Sequence, residues 1–389
     1  MSLIEFGTIM NLTKGKKPKN QFGEYKAGLM PYVDIKAFET GRIESYTDGE
    51  KCLPCKEGDI LIVCDGSRSG LVGKALNGYV GSTLAKISAE GLTQDYLYYF
   101  LQGQYALLNT KKKGTGTPHL NPELLRKQLI YVPSIEMQQR IVSRIEELFS
   151  ELDRGVETLQ TIKEQLAVYR QAVLKEEFDR AGENKSELKE IIEKPRYGTS
   201  KKCSSNAEEM AIPVYRIPNI NYSQGIISHN DLKYASFTED ELSALKLKVG
   251  DILIIRSNGS VSLVGRTAVV SKRDIGGLFA GYLMRLRIKV EKKVLPQYLN
   301  LYLNTHYARN QIEMMAKSTS GVNNINATEI CQIKIPICDI DLQKEIIEAI
   351  ESKSSLCDSI EQTVDTALAQ AEAMRQSILK KAFEGELCK

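Results

Sequence analysis

The sequence predicts an α+β protein built twice over. Two pseudo-symmetric, mixed α/β lobes are each followed by a long helix, and the two helices pair as a long antiparallel coiled coil. Three observations carry this expectation: an internal duplication, heptad spacing in the second part of each copy, and a separation of charge between lobes and helices.

The duplication is read directly. Lys56-Glu57-Gly58-Asp59-Ile60-Leu61-Ile62 returns 192 residues later as Lys248-Val249-Gly250-Asp251-Ile252-Leu253-Ile254, and Leu71-Val72-Gly73 returns as Leu263-Val264-Gly265 at the same offset. Further on, Arg170-Gln171-Ala172-Val173-Leu174-Lys175 returns as Arg375-Gln376-Ser377-Ile378-Leu379-Lys380 at an offset of 205, and Gln138 and Ile141 return as Gln343 and Ile346. A repeat of this length marks a structural unit used twice. Loops absorb insertions and helices do not, so the drift in offset belongs to the lobes. The expected segments are residues 1–136 and 183–340 for the lobes, and 137–182 and 341–389 for the helices.

In the first helix Ile145, Leu148, Leu152, Gly155, Leu159, Ile162, Leu166, Tyr169 and Val173 alternate three and four apart, the a/d seam of a coiled coil. Ile350, Cys357, Ile360, Val364, Ala367, Ala371, Met374 and Ile378 form the equivalent seam, interrupted by Lys353. Gly155 weakens its helix by about 1 kcal/mol and marks a place for close approach of the partner. Asp341 is the expected N-cap of the second helix, and Gly182 and Gly385 are the expected stops. From Met137 to Arg180 the helix is about 66 Å long at the usual rise. The plainer alternative is two separate amphipathic helices, each lying on its own lobe. Connectivity argues for the pair: a short link carries the first helix into the second lobe, so pairing along the seams makes them antiparallel.

Within the lobes, Asp59–Cys64 and Asp251–Ile255 read as strands, each running into a polar loop, Asp65–Gly70 and Arg256–Ser260. Val80–Ile87 and Leu283–Ile288 read as following strands, and Tyr96–Leu108 and Tyr298–Met315 as helices. A second polar loop comes after each helix, at Lys111–His119 and Lys317–Asn324. The lobes carry net charges of +3 and +6, whereas the helical segments carry −2 and −4. Positive charge thus sits where a polyanion would be met, although solvated lysine-rich loops explain the same counts.

Several function classes are unsupported. No segment reaches the roughly 20 apolar residues of a membrane span, so the chain is expected in the cytoplasm without a membrane partner. Of eight cysteines only Cys52 and Cys55 share CxxC spacing, with no second pair, which reads as reduced structural thiols rather than zinc. Gly66…Gly73-Lys74-Ala75 and Gly259…Gly265-Arg266-Thr267 miss the glycine spacing of a phosphate cradle, and Gly114-Thr115-Gly116 is too short for one. The three histidines, His119, His229 and His306, show no metal spacing or paired nucleophile; His119 lies in a polar loop, where surface histidine is the ordinary reading. No Asn-Pro-Pro-Tyr or Asp-Pro-Pro-Tyr run of an adenine methyltransferase is present.

Two lobes each followed by a repeated helix resemble the specificity subunits of type I restriction–modification systems, whose lobes are called target recognition domains. Thr13-Lys14-Gly15-Lys16-Lys17-Pro18 and Tyr197-Gly198-Thr199-Ser200-Lys201-Lys202 look like the two lobe starts. Pro213–Ile220 with Gly225-Ile226-Ile227, the Gly-Asp-Ile-Leu strands, and the passages Leu120–Arg140 and Ile325–Lys344 complete a likeness over nearly the whole chain. The family's Glu-Gln at the helix start is Met137-Gln138 and Leu342-Gln343 here. The resemblance implies a non-catalytic chain whose lobes each read one half of a bipartite double-stranded DNA target, with the coil as ruler. Two modification subunits would bring S-adenosylmethionine and methylate adenine, and restriction subunits would bring ATP- and Mg-dependent translocation and cleavage. No cofactor is expected on this chain. The recognition subunit of a fused, type II-like restriction–modification enzyme and a coiled-coil scaffold without DNA are the alternatives; a scaffold has no need of basic-polar loops at equivalent places in both repeats.

Recognition needs cations for phosphates and Arg, Asn or Gln for base edges. The candidates in the first lobe are Lys14, Lys16, Lys17, Asn20, Arg68, Lys111, Lys112 and Lys113. In the second they are Lys201, Lys202, Arg216, Asn219, Arg256, Asn258, Asn323 and Asn324. Most such residues in any interface meet the backbone rather than a base.

Overall fold

The computed structural model describes residues 3–110, 118–205, 211–319 and 321–388, and for 317–319 only the backbone. Lys111, Lys112 and Lys113 lie outside the described residues. The chain divides into two compact units, residues 1–160 with 364–389, and residues 161–363.

Unit 1 is built on the strands β1 (Met10–Lys14), β2 (Ile60–Val63), β3 (Val72–Lys74) and β4 (Leu84–Ala89), in the order β1-β4-β2-β3 with every neighbour antiparallel. Unit 2 repeats this with β5 (Arg196–Tyr197), β6 (Ile220–Asn221), β7 (Ile226–Ile227), β8 (Ile252–Ile255), β9 (Thr267–Val269) and β10 (Leu283–Leu286), ordered β5-β10-β8-β9-β7-β6. The first four strands of that order match unit 1, and the β6–β7 hairpin extends the edge. The central strands β2 and β8 are buried at every residue, which explains their unbroken apolar sequence.

The repeated Gly-Asp before each central strand is a turn device. Gly58 and Gly250 take φ of +85° and +87°, and Asp59 and Asp251 accept the N–H three residues back, at 2.8 and 2.7 Å. Each aspartate also meets a cation of the strand opposite: Asp59 with Lys86 at 2.5 Å, Asp251 with Arg287 at 2.7 Å through both oxygens. The motif is therefore structural.

Helix α1 (Gln94–Thr110) covers the unit 1 sheet; in unit 2 its counterpart is two helices, α3 (Pro296–Leu303) and α4 (His306–Met315). The sequence predicted one helix there. It breaks because the Thr305 hydroxyl accepts the Ala308 N–H at 3.3 Å and restarts the helix. The long helices are α2 (Ile135–Asp179) and α5 (Ile340–Phe383). Their caps are Ser134, whose Oγ accepts the Met137 N–H at 3.4 Å, and Asp339, which accepts those of Asp341 and Leu342 at 3.1 and 2.9 Å. Asp339 rather than Asp341 is thus the cap. Gly182 and Gly385 follow the helix ends with φ of +80° and +78°, as expected.

In each unit α2 and α5 run antiparallel. Asp153 pairs with Arg375 in unit 1; in unit 2 Arg170 pairs with Asp358 at 2.7 Å, and Lys353 with Glu177 at 2.8 Å. The last pair accounts for the lysine in the seam. The seam is buried at Ile145, Val173, Ile350, Cys357 and Val364, but Tyr169, Ile360 and Met374 are exposed. Gly155 faces open space, with nothing within 4 Å of a Cβ built on it, so it marks no close approach. Ile145, Val173 and Ile350 belong to the lobe cores, whereas Cys357 and Val364 are buried outside them.

Each lobe core takes in helix ends from both repeats. Phe383 meets Tyr96 and Phe100 at 4.9 and 5.4 Å in unit 1, while Phe178 meets Tyr298 and Tyr302 at 5.1 and 5.2 Å in unit 2. The start of each helix is held by a fully buried glutamine. Gln138 accepts the Thr93 N–H at 2.8 Å and donates to the Gly91 and Pro133 carbonyls at 2.7 and 3.1 Å. Gln343 accepts the Leu295 N–H and donates to the Lys293 and Cys338 carbonyls, all at 2.9 Å. All eight cysteines are free; burial pushes the Cys55 and Cys64 thiols up to about 11.

Candidate nucleic-acid interface

In unit 1 the end of β1 and the loop leaving β2 meet. Lys14 Nζ lies 2.8 Å from Asp65 Oδ2, and His119 Nδ1 lies 2.7 Å from Asp65 Oδ1. Burial works to raise the Asp65 pKa, but Lys14 and His119 together hold it below the usual carboxylate value. The loop is pinned from beneath: Asn109 donates to the Ser67 and Ser69 carbonyls at 3.0 and 3.1 Å, and the Gly66 N–H donates to the Pro118 carbonyl at 2.8 Å. Gly15 is where the lobe's first loop crosses the backbone of residues 80–81, and a Cβ there would lie 2.3 Å from the Gly81 oxygen. Lys16 and Lys17 follow it, exposed and without a carboxylate partner among the described residues. Arg68 pairs with Glu39 at 2.5 Å, and Asn20 donates to Asp48 at 2.8 Å.

Unit 2 assembles the same place with other side chains. Gly198 crosses the backbone of Phe279 and Ala280 as closely as Gly15 does its own strand. The loop leaving β8 forms a small sheet in which Ser257–Asn258 pairs with Val322–Asn324 and that strand with Lys317–Thr319. Here Arg256, Asn258, Asn323 and Asn324 come together. Asn323 donates to the Gly259 carbonyl at 2.9 Å, and Asn258 accepts the Ser260 N–H at 2.8 Å. The Arg256 guanidinium stacks 5.0 Å from the Tyr197 ring and donates to the Gly281 carbonyl at 2.8 Å. Arg309, buried under the loop, donates to the Val264, Val261 and Ser262 carbonyls, the role Asn109 has in unit 1.

Three candidates are committed elsewhere. Asn219 is 0% exposed; its Oδ1 accepts the Arg216 N–H at 2.9 Å and its amide donates to the Ser228 and Asn230 carbonyls at 3.1 and 2.8 Å. It has no group left for a base and is a structural residue, a correction to its place among the candidates. Arg216 donates to Asp231 at 2.9 Å and to its carbonyl at 2.7 Å. Lys201 pairs with Glu241 at 2.6 Å and lies 4.9 Å from the Phe237 ring. Lys202 is exposed with no carboxylate partner among the described residues. Sequence reasoning overlooked Tyr197, which forms the stacking floor for Arg256, and Tyr282, 61% exposed beside Gly281. Tyr197 stood in the second lobe-start motif without being taken for a contact residue, and nothing in the sequence around Tyr282 marks it.

Among the described residues no group of three or more His, Cys, Asp or Glu is placed to hold a metal, and no helix is long and apolar enough to cross a membrane. What recurs in both units is a polar loop after the central strand, braced from beneath and joined by a second loop. The profile of the type I restriction modification DNA specificity domain matches twice, over residues 1–166 and 182–370. The chain belongs to the DNA specificity family of type I restriction–modification systems. It is 26% identical over 415 residues to the EcoKI specificity subunit of Escherichia coli strain K12, covering 98% of this chain and 88% of that one. It is 24% identical over 373 residues to the MjaVIII specificity subunit of Methanocaldococcus jannaschii, covering 91% and 86%. A chain solved in a study of type I R-M complex assembly and conformational transition shares the fold with a TM-score of 0.75, 19% identity and coverage of 99% and 98%. The HsdS subunit from Thermoanaerobacter tengcongensis aligns with a TM-score of 0.55, 19% identity and coverage of 99% and 97%. Specificity subunits of this family recognise sequence and are non-catalytic, the chemistry residing in partner subunits.

Proposed function

We propose that each lobe of this specificity subunit reads one half of a bipartite target in double-stranded DNA, and that the helical segments set the unread spacer. The observation that carries this is the recurrence of one braced loop assembly after β2 and after β8, built from different side chains in the two units. A shared scaffold with different tips is what two readers of different half-sites require. Lys14, Lys16, Lys17 and Lys202 supply phosphate contacts that fix register, together with Lys111, Lys112 and Lys113. Arg256, Asn258, Asn323 and Asn324 are the readers of base edges in unit 2, of the residue types that make two-pronged contacts with guanine or adenine, and Arg68 is their counterpart in unit 1 on exchanging Glu39 for a base. Two modification subunits, holding S-adenosylmethionine, methylate adenine once the complex is seated, and restriction subunits join them with ATP and Mg. The complex works in the cytoplasm. Replacing residues 1–136 by the lobe of a relative, in cells that supply the partner subunits, tests the reading. Methylome sequencing is expected to show one half-site changed and the other kept; a change in both would overturn it.

A further inference from the structure

The two units differ at one place where their symmetry invites comparison. In unit 1 a shallow hollow of about 450 Å³ lies between α1 and the long helices, lined by Tyr98, Gln102, Phe149, Asp153 and Arg375 among others. The corresponding cleft of unit 2 measures about 1080 Å³ and is lined by Asn300, Asn304, Ser354, Asp358 and Arg170 at the equivalent repeat positions. Two aromatic side chains of unit 1, Tyr98 and Phe149, are thus replaced by Asn300 and Ser354, which opens the space.

Charge changes with volume. Lys74 of unit 1 lies over the Tyr98 ring and pairs with Asp95 at 2.7 Å. Its repeat counterpart in unit 2 is Arg266, and the counterpart of Asp95 is Gln297, so the carboxylate is gone. Arg266 is half-buried, stacks 4.7 Å from the Tyr222 ring and donates through Nε to the Ser262 carbonyl at 3.2 Å. No carboxylate stands within ion-pair distance of it among the described residues, and burial lowers its pKa. Lys272, exposed, lines the same cleft. On the helix wall Arg170 stands between two carboxylates, Asp358 at 2.7 Å and Glu361 at 3.1 Å, and Glu351 is exposed. Asn300 is 5% exposed and its Oδ1, like that of Asn304, has no hydrogen-bond partner. A half-buried guanidinium with no carboxylate in ion-pair distance favours an anion, whereas the two unsatisfied amide oxygens are acceptors and call for a hydrogen-bond donor.

We propose that the unit 2 cleft is a binding site for a small organic anion, a phosphate ester or carboxylate on a planar body, with Arg266 and Lys272 as its counter-charges and an amino or hydroxyl group of the body as the donor that the Asn300 and Asn304 oxygens lack. Arginine held flat on an aromatic ring presents its donors to an anion as a fixed fork. Ile226, Val269, Leu174 and the Tyr222 ring give the body an apolar seat, and the volume is that of a small-molecule site. Unit 1, filled and charge-balanced, has no such site. The inference is independent of how the lobes read DNA.

The test titrates the full chain calorimetrically with phenyl phosphate, benzoate, adenosine 5′-monophosphate and inorganic phosphate. At least one body-bearing anion is expected to bind about ten-fold or more tightly than inorganic phosphate, and Arg266→Gln to weaken it about ten-fold or more. Lys74→Gln, the matching change in unit 1, is expected to leave the affinity within two-fold of the parent, about the scatter of such measurements. Asn300→Tyr, which restores the unit 1 side chain, is expected to abolish binding; where that variant does not fold, the contrast between Arg266→Gln and Lys74→Gln decides. Phenyl phosphate binding without benzoate identifies a phosphate ester as the ligand class, and the reverse a carboxylate. Absence of binding by every probe up to about 10 mM, equal binding of inorganic phosphate, or indifference to Arg266→Gln would each overturn the proposal.

Discussion

The two units share the contacts that join each long helix to its lobe and differ in those that brace a loop or join the two helices. Gln138 and Gln343 make the same three hydrogen bonds, and Phe383 and Phe178 fill the same place in the two cores. Yet the loop braces are Asn109 in one and Arg309 in the other, and Glu177 with Lys353 stands where the repeat has Ala382 and Leu148. Positions that join a helix to a lobe are constrained by several partners at once, whereas a brace or a helix-to-helix contact has more than one chemical solution. A duplicated protein can therefore vary its readers without losing the frame that carries them.

The sharpest test of that equivalence lies in the aromatic ends. Phe383→Ala and Phe178→Ala should each cost about 3–5 kcal/mol. Hydrogen exchange should lose protection around residues 96–101 in the first variant and around 298–303 in the second. Loss in the opposite lobe would break the comparison. The buried glutamines come next. Gln138→Leu and Gln343→Leu each strand three backbone groups and should cost about 3 kcal/mol apiece in chemical denaturation. A cost confined to one of them would show that the two seats are not equivalent.

A smaller effect is expected where the units differ. Glu177→Ala alone should lower the denaturation midpoint, because it leaves Lys353 and Arg180 facing the vacated site. Glu177→Ala with Lys353→Leu, the unit 1 solution, should recover the parent midpoint or exceed it. Burial opposes ionisation of Glu177, but Lys353 and Arg180 hold its carboxyl below the usual value. A lowered folded-state pKa contributes stability that is present above the unfolded value and lost as pH falls through the folded one. The parent's advantage over Glu177→Ala should accordingly be complete above about pH 4.3, the ordinary glutamate value, and shrink as pH falls from there through the lower folded value. Smallest of all, Lys202→Ala should weaken DNA binding of the assembled complex for every sequence alike. The slope of log affinity against log salt should fall by about one; a change in the half-site read would make Lys202 a base reader.

The frame was legible because it repeats. Gly-Asp-Ile-Leu and Arg-Gln-x-x-Leu-Lys recur verbatim, and the heptad positions located both long helices to within a few residues. The cap at Asp339 was missed in favour of Asp341, since both fit the pattern and only geometry chooses. Asn219 was read as a candidate DNA contact because composition cannot distinguish an amide turned outward from one that ties two stretches of backbone together. The cleft of unit 2 was invisible for another reason. It comes from what Tyr98, Asp95 and Phe149 become in the second copy; Tyr98 and Asp95 fall where the offset drifts between 192 and 205, while Phe149, at the fixed offset of 205, becomes Ser354 in a helix position that says nothing of the lobe facing it.

The placement of Phe383 in the first core bears on the order of synthesis. A ribosome completes Tyr96, Phe100 and Ile145 long before the ring that closes over them, which follows roughly 230 residues after Phe149. At about 5–20 residues per second, the nascent first lobe waits some tens of seconds with that face uncovered. During the delay it is open to chaperones, to proteases and to helix ends from neighbouring chains. The lobe made first of the two is thus finished by a ring that follows it by about 230 residues.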